Sequence, residues 1–181
     1  MSATSVEQTE RWLKEWVIEL DLCPFAKYPF EQGRVRITAT NTTDSDSLFR
    51  FVLHELDRLY QSDAREIETT LVVVEQSLSE FKEYLDFLDL LEHVIVETGL
   101  EGEIQIASFH PDYCFDGVAE DDPSNYTNRS PYPMFHLIRE ASLEHAINHY
   151  PDPEKIPGRN IALLREMGLE QIKQKLRRIC Q

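Results

Sequence analysis

The stretch Thr69 to Glu75, "TTLVVVE", sets the fold class. A strand with one wet face alternates apolar and polar residues, whereas an unbroken β-branched run suits a strand covered on both faces. Working outward, "RVRITAT" from Arg34 alternates Val35, Ile37 and Ala39 against Arg34, Arg36 and Thr38, the pattern of a half-buried strand. "EIQIASF" downstream is a third strand. Between the first two strands, "NTTDSDS" supplies caps for a helix with Leu48, Val52, Leu56 and Leu59 on one side. Between the second and third, Ser77 and Glu80 form a capping-box pattern ahead of Phe81, Leu85, Leu88, Leu91 and Ile95, and Gly99 closes that helix. Strands alternating with helices of this length favour parallel pairing through right-handed crossovers. The expected fold is α/β: a small, mostly parallel three-stranded sheet flanked by helices, with additional N-terminal and C-terminal helices.

The added helices have their own signals. Ser5 and Gln8 suggest a capping box for a helix to Leu20, with Leu13, Trp16, Val17 and Leu20 on its apolar face and Pro24 after it. A further helix is expected after residue 130, with Pro131 or Pro133 in its first turn and Leu137, Ala141 and Ile147 inside. "YPDPEKIPGRN" reads as a Pro-rich turn, and a last helix starts near Asn160 with a break at Gly168. No repeat or linker divides the chain, so residues 1–181 are expected to form one domain, a length that buries about 70% of the unfolded surface.

Composition narrows the function classes. The 41% hydrophobic and 28% charged residues are those of a soluble globular chain. Three cysteines, Cys23, Cys114 and Cys180, form no C-x-x-C pair, and the first residues lack a basic segment followed by an apolar one, so free thiols in a cytoplasmic setting are expected. No apolar run reaches the roughly 20 residues of a membrane helix, which argues against membrane insertion. The net charge of −15 repels phosphodiester backbones and argues against nucleic acid. The basic cluster Lys173, Lys175, Arg177 and Arg178 is explained more simply as cations at a helix C-terminus.

The chemistry-bearing residues gather in one long segment without strand or helix rhythm, Cys114 to Pro133, "CFDGVAEDDPSNYTNRSPYP". Structureless loops longer than about 12–15 residues are uncommon in compact domains unless functional or disordered, and Tyr113, Phe115, Tyr126 and Tyr132 argue for packing. If the strands are parallel, this segment lies at their carboxyl edge, where open α/β sheets bind ligands. His110 is then the best-placed general acid/base, with Asp112 able to fix its tautomer; a hydrogen-bonded structural histidine is the plainer alternative. Asn125, Tyr126, Asn128, Arg129, Ser130, Tyr132 and Arg139 are candidate ligand contacts. Arg129 and a helix N-terminus after "NRSPYP" would hold a small carboxylate or phosphate, against ordinary capping by Ser130 and pairing of Arg129. On the expected helix His136, Arg139 and Glu140 share a face, and His110, His136 and Glu140 give an alternative two-His-one-carboxylate set for a divalent metal such as iron or zinc. Cys23 in "LDLCPFAKYPF" is a candidate thiol nucleophile or a buried small hydrophobe, and Cys114 competes by its place in the loop. His145 and His149 are read as structural.

"LCPFA", "SFHPDYCF" and "DPSNYTNRSPYPMFHLIRE" together resemble a bacterial family catalogued as domain of unknown function 1415. The likeness spans nearly the whole chain. It marks Cys23, Pro24, Phe25, His110, Pro111, Tyr113, Asn125, Thr127, Asn128, Arg129, Ser130, Pro131, Tyr132, Pro133, His136, Arg139 and Glu140 as family-like and implies no activity for them. Three functions stand open: an enzyme on a small anionic metabolite using His110 and the Cys23 thiol, a metal-binding protein, and a non-catalytic module contacting a partner protein through loop aromatics. No G-x-G-x-x-G, P-loop, H-E-x-x-H or G-x-S-x-G signature is present.

Overall fold

A computed structural model describes residues 3–181. The chain begins with α1 (Ser5–Trp12), which continues as π-helix over Leu13–Ile18. Its capping box is formed by Thr4 and Glu7, not by Ser5 and Gln8: the Thr4 hydroxyl accepts the Glu7 N–H and the Glu7 carboxylate accepts the Thr4 N–H. The wider π turn suits a segment whose Trp12, Leu13, Trp16 and Val17 are all buried. After the short α2 (Lys27–Glu31) come β1 (Val35–Thr40), α3 (Ser45–Gln61), β2 (Thr69–Val74), α4 (Phe81–Glu97) and β3 (Ile104–Phe109). Asp44 caps α3 by accepting the Ser47 N–H at 2.8 Å. At α4, the proposed Ser77–Glu80 box does not form, because the Ser77 hydroxyl donates to the Thr42 carbonyl at 3.1 Å. The buried stripe of α4 is Tyr84, Phe87, Leu88, Leu91 and Ile95; Leu85 is 38% exposed.

The α/β class holds, but the sheet has four strands in the order β1-β2-β4-β3, with β4 formed by Met134–Arg139. Among the described residues only β1 and β2 pair in parallel; β4 is antiparallel to both β2 and β3. The expected three-stranded parallel sheet is thus corrected by an intruding strand. The residues expected to open a helix form this strand because Met134, Phe135, Leu137 and Ile138 give it apolar side chains on both faces, as in β2, and two helical layers cover them. Pro133 stands just outside the strand, and its carbonyl accepts the Val74 N–H at 2.9 Å. α5 (Glu140–Asn148) and α6 (Ile156–Ile179) follow, and Gly168 at φ 73° and ψ 157° interrupts α6 where the sequence suggests a break.

The sheet separates two cores. Val72, Val74, Phe135, Leu137 and Ile104 pack against α3 and α4. Leu71, Val73, Met134 and Phe109 pack against α1, its π extension and α6. On the first side Arg36 of β1 forms a forked pair with buried Glu55 of α3, at 2.6 and 3.1 Å.

Candidate functional site

The segment between β3 and β4 is held by its own polar side chains. His110 is fully buried; its Nδ1 accepts the Asp112 N–H at 3.0 Å, so Nε2 carries the proton and donates to the Leu78 carbonyl at 3.0 Å. Burial also holds the His110 pKa below the usual value. Asn125, equally buried, takes the Phe115 N–H on Oδ1 at 3.0 Å and donates through Nδ2 to the carbonyls of Ala119 and Glu120. Arg129 donates Nε to the Tyr113 carbonyl at 3.0 Å and Nη2 to the Glu120 carbonyl at 2.8 Å, and its guanidinium lies 4.6 Å above the Tyr126 ring. Asn128 donates to Ser108, Ser130 to the Tyr132 carbonyl, and the Tyr132 hydroxyl to Gln8 at 2.6 Å. The Cys114 thiol faces the Val118 carbonyl at 3.3 Å.

Two sequence expectations are corrected here. No helix begins after "NRSPYP", so the anion-binding N-terminus does not exist there. His136 and Arg139 lie three apart on a strand and therefore face opposite sides, while Glu140 starts α5. Arg139 lies under the C-terminal end of α3, donating to the carbonyls of Leu59, Ser62 and Ile67. Among the described residues no three His, Cys, Asp or Glu side chains are grouped to hold a metal ion, so His110, His136 and Glu140 are not assembled as one set. His110 and Arg129 line none of the three principal cavities, and Tyr126 borders only a shallow groove beside α6.

What the structure does assemble is an apolar cavity of about 120 Å³ on the sheet face beneath α1. It lies toward the amino ends of β1 and β2, bordered by Val35, Thr69 and Leu71, and not at the carboxyl edge that topology suggested. Its lining includes Trp12 and Phe109, Cys23, Phe25 and Pro29 from the chain after the first helix, and Ser142, Leu143 and Ala146 of α5. The "LCPFA" and "MFHLIRE" motifs, far apart in sequence, meet there.

His136 is the polar centre of this cavity. Its Nε2 lies 2.6 Å from Thr69 Oγ1, and Thr69 Oγ1 lies 2.7 Å from the Leu137 carbonyl. The carbonyl can only accept, so the single hydroxyl proton goes to it, and His136 must donate Nε2–H to Thr69. Nδ1 is left as a free lone pair with no hydrogen bond among the described residues. Burial pulls the His136 pKa down to about 4, so the ring is neutral near pH 7. Burial likewise raises the Cys23 thiol, outweighing the opposing N–H groups of Phe25 and Ala26. Trp12, 1% exposed, has an indole N–H without a hydrogen-bond acceptor among the described residues, whereas Trp16 one turn later donates to the Tyr126 carbonyl at 3.1 Å. Glu68, also in the lining, forms an ion pair with Arg34 at 3.7 Å. Trp12, Thr69 and Ser142 are members of the cavity wall that sequence reasoning did not select; the i, i+4 spacing of Trp12 and Trp16 was the one available signal for the first.

A family model described as "Protein of unknown function (DUF1415)" matches residues 4–174. The chain belongs to this family. No curated protein and no solved structure matches the chain. No helix among the described residues is long and apolar enough to cross a membrane.

Proposed function

We propose that this DUF1415 protein binds a small, uncharged, largely apolar molecule in the cavity centred on His136. The observation that carries this reading is a carbon-lined space whose one ionisable ring is held neutral by burial. Ligand pockets have this make-up: mostly apolar walls with a few fixed polar groups. The expectation of an anionic metabolite draws no support from Arg129 or Arg139, since both guanidinium groups donate to main-chain carbonyls. His110 has both ring nitrogens engaged by the main chain, which fits support of the loop better than proton transfer.

A second reading keeps Cys23 as a reactive thiol, because Cys23 and His136 border the same cavity. With the thiol pKa raised and the imidazole pKa lowered, the two stand as neutral groups, so this chemistry would begin from the thiol. The binding reading is tested by ligand-observed NMR with ring-sized uncharged compounds and with carboxylates and phosphates of the same size. The uncharged set should bind the wild type and fail to bind Ala146→Phe, which fills the cavity. Preferential binding of the anions, or binding indifferent to Ala146→Phe, would reject the proposal.

A further inference from the structure

His136 keeps one ring nitrogen open to the cavity. Thr69 takes the Nε2–H, and Nδ1 makes no hydrogen bond among the described residues. The buried side-chain atoms left without a partner among those residues are Thr9 Oγ1, Arg11 Nη2, Trp12 Nε1 and Thr70 Oγ1. Nδ1 stands outside that set although it is unbonded, so it retains accessible surface. The ring lies deep enough for burial to hold it neutral, yet the residue is only half-buried. A side chain at that depth keeps surface where it meets an internal space, and His136 lines the apolar cavity and neither of the two other principal ones.

The lining supplies this lone pair with no proton. Thr69 gives its hydroxyl proton to the Leu137 carbonyl, Trp12 Nε1 has no surface on the cavity, and neither Ser142 nor Cys23 hydrogen-bonds to the ring. A ligand that displaces water from Nδ1 must replace the lost hydrogen bond or leave the acceptor dry. A carboxylate or an ether oxygen would set lone pair against lone pair. An ammonium would bring a full charge into a carbon-lined space where Glu68 is already paired with Arg34. The volume of about 120 Å³ is of the order that holds one small ring, ~150 Å³ being enough for benzene. Resting on the binding reading above, we propose that the cavity takes an uncharged ring bearing an O–H or N–H, of the phenol, cyclic-alcohol or N–H heterocycle class, which donates that proton to His136 Nδ1.

The experiment titrates the full chain with two near-isosteric pairs, phenol with fluorobenzene and pyrrole with furan, and with benzoate and benzylammonium. Ligand signals and the ¹⁵N resonance of His136 Nδ1 are followed. The donor of each pair should bind about fivefold or more tightly than its partner, the worth of one hydrogen bond, and should move the Nδ1 resonance upfield. His136→Leu should bring phenol down to the level of fluorobenzene while fluorobenzene binding persists. If that variant fails to fold, the wild-type Nδ1 shift decides the matter. Equal affinity within either pair, or an unmoved Nδ1 resonance on saturation with phenol, overturns the donor inference and leaves the apolar pocket standing. Tighter binding of benzoate or benzylammonium than of phenol, or binding of none of the six, overturns both.

Discussion

His136 donates to Thr69, and Thr69 in turn donates to the main chain of the very strand that carries His136, through the Leu137 carbonyl. This closed relay between β2 and β4 fixes the imidazole tautomer without any carboxylate. Thr69→Val keeps the shape but removes the acceptor for Nε2–H and the donor for Leu137. Stability should fall by about 1–3 kcal/mol in chemical denaturation, the cost of stranding buried polar groups. The tautomer, read from ¹⁵N shifts, should lose its single Nε2–H form. An unchanged tautomer in the variant would show that Thr69 does not set it.

The pH dependence follows from the same ring. The folded His136 pKa is about 4, below the ordinary 6.5, so between these values the unfolded chain binds the proton and the folded chain does not. Stability is therefore full above pH 6.5, falls as pH drops through the window, and the His136 contribution levels off below about pH 4. The loss is on the order of 3 kcal/mol. His110, also lowered by burial, adds in the same direction. Asp63 and Asp122, held down by Arg65 and Arg165, act only at more acid pH. Denaturation midpoints of wild type and His136→Gln between pH 4 and 7 test this: the variant should show a slope smaller by about one proton, and parallel curves would refute the assignment.

His110 supports the loop through both ring nitrogens. His110→Ala frees the Leu78 carbonyl, whose residue sits at φ 56°, and the Asp112 N–H. A destabilisation of roughly 3 kcal/mol is expected from the unpaired groups and the cavity left behind. Binding to the His136 cavity should stay within about twofold under conditions where the variant is folded. Wild-type stability, measured by urea denaturation, would contradict the supporting role.

Arg129 ties the loop through geometry that lysine cannot copy. Arg129→Lys keeps the charge but loses the planar fork to Tyr113 and Glu120 and the stacking on Tyr126. Hydrogen exchange over residues 113–126 should accelerate by about tenfold or more while the amides of β2 keep wild-type protection. Unchanged loop protection would show that the charge alone suffices.

The sequence reveals most of the fold where a segment carries its own signal. Thr69–Val74 is unambiguous because six buried residues in a row suit little else, and Gly168 announces its break by being the residue type that tolerates φ 73°. Met134–Arg139 conceals its nature, since a short apolar run fits helix or strand and only its two neighbours in the sheet decide. That one difference relocates the site. With β4 in the middle of the sheet, His136 turns toward α1 and Arg139 toward α3, and the loop residues that look chemically rich spend their polar groups on one another. Cys23 and His136 are visible in sequence as unusual residues, but their shared cavity is a tertiary fact.

The central position of β4 also governs assembly during synthesis. β1 and β2 can associate once residue 74 has left the ribosome, yet β3 has no neighbour until residues 134–139 arrive to bridge it to β2. A nascent chain halted before that point carries Leu71 to Val73 with one open hydrogen-bonding edge, a template for intermolecular pairing. The last strand to be made is the keystone of the sheet, and vectorial folding of this protein is completed from the inside.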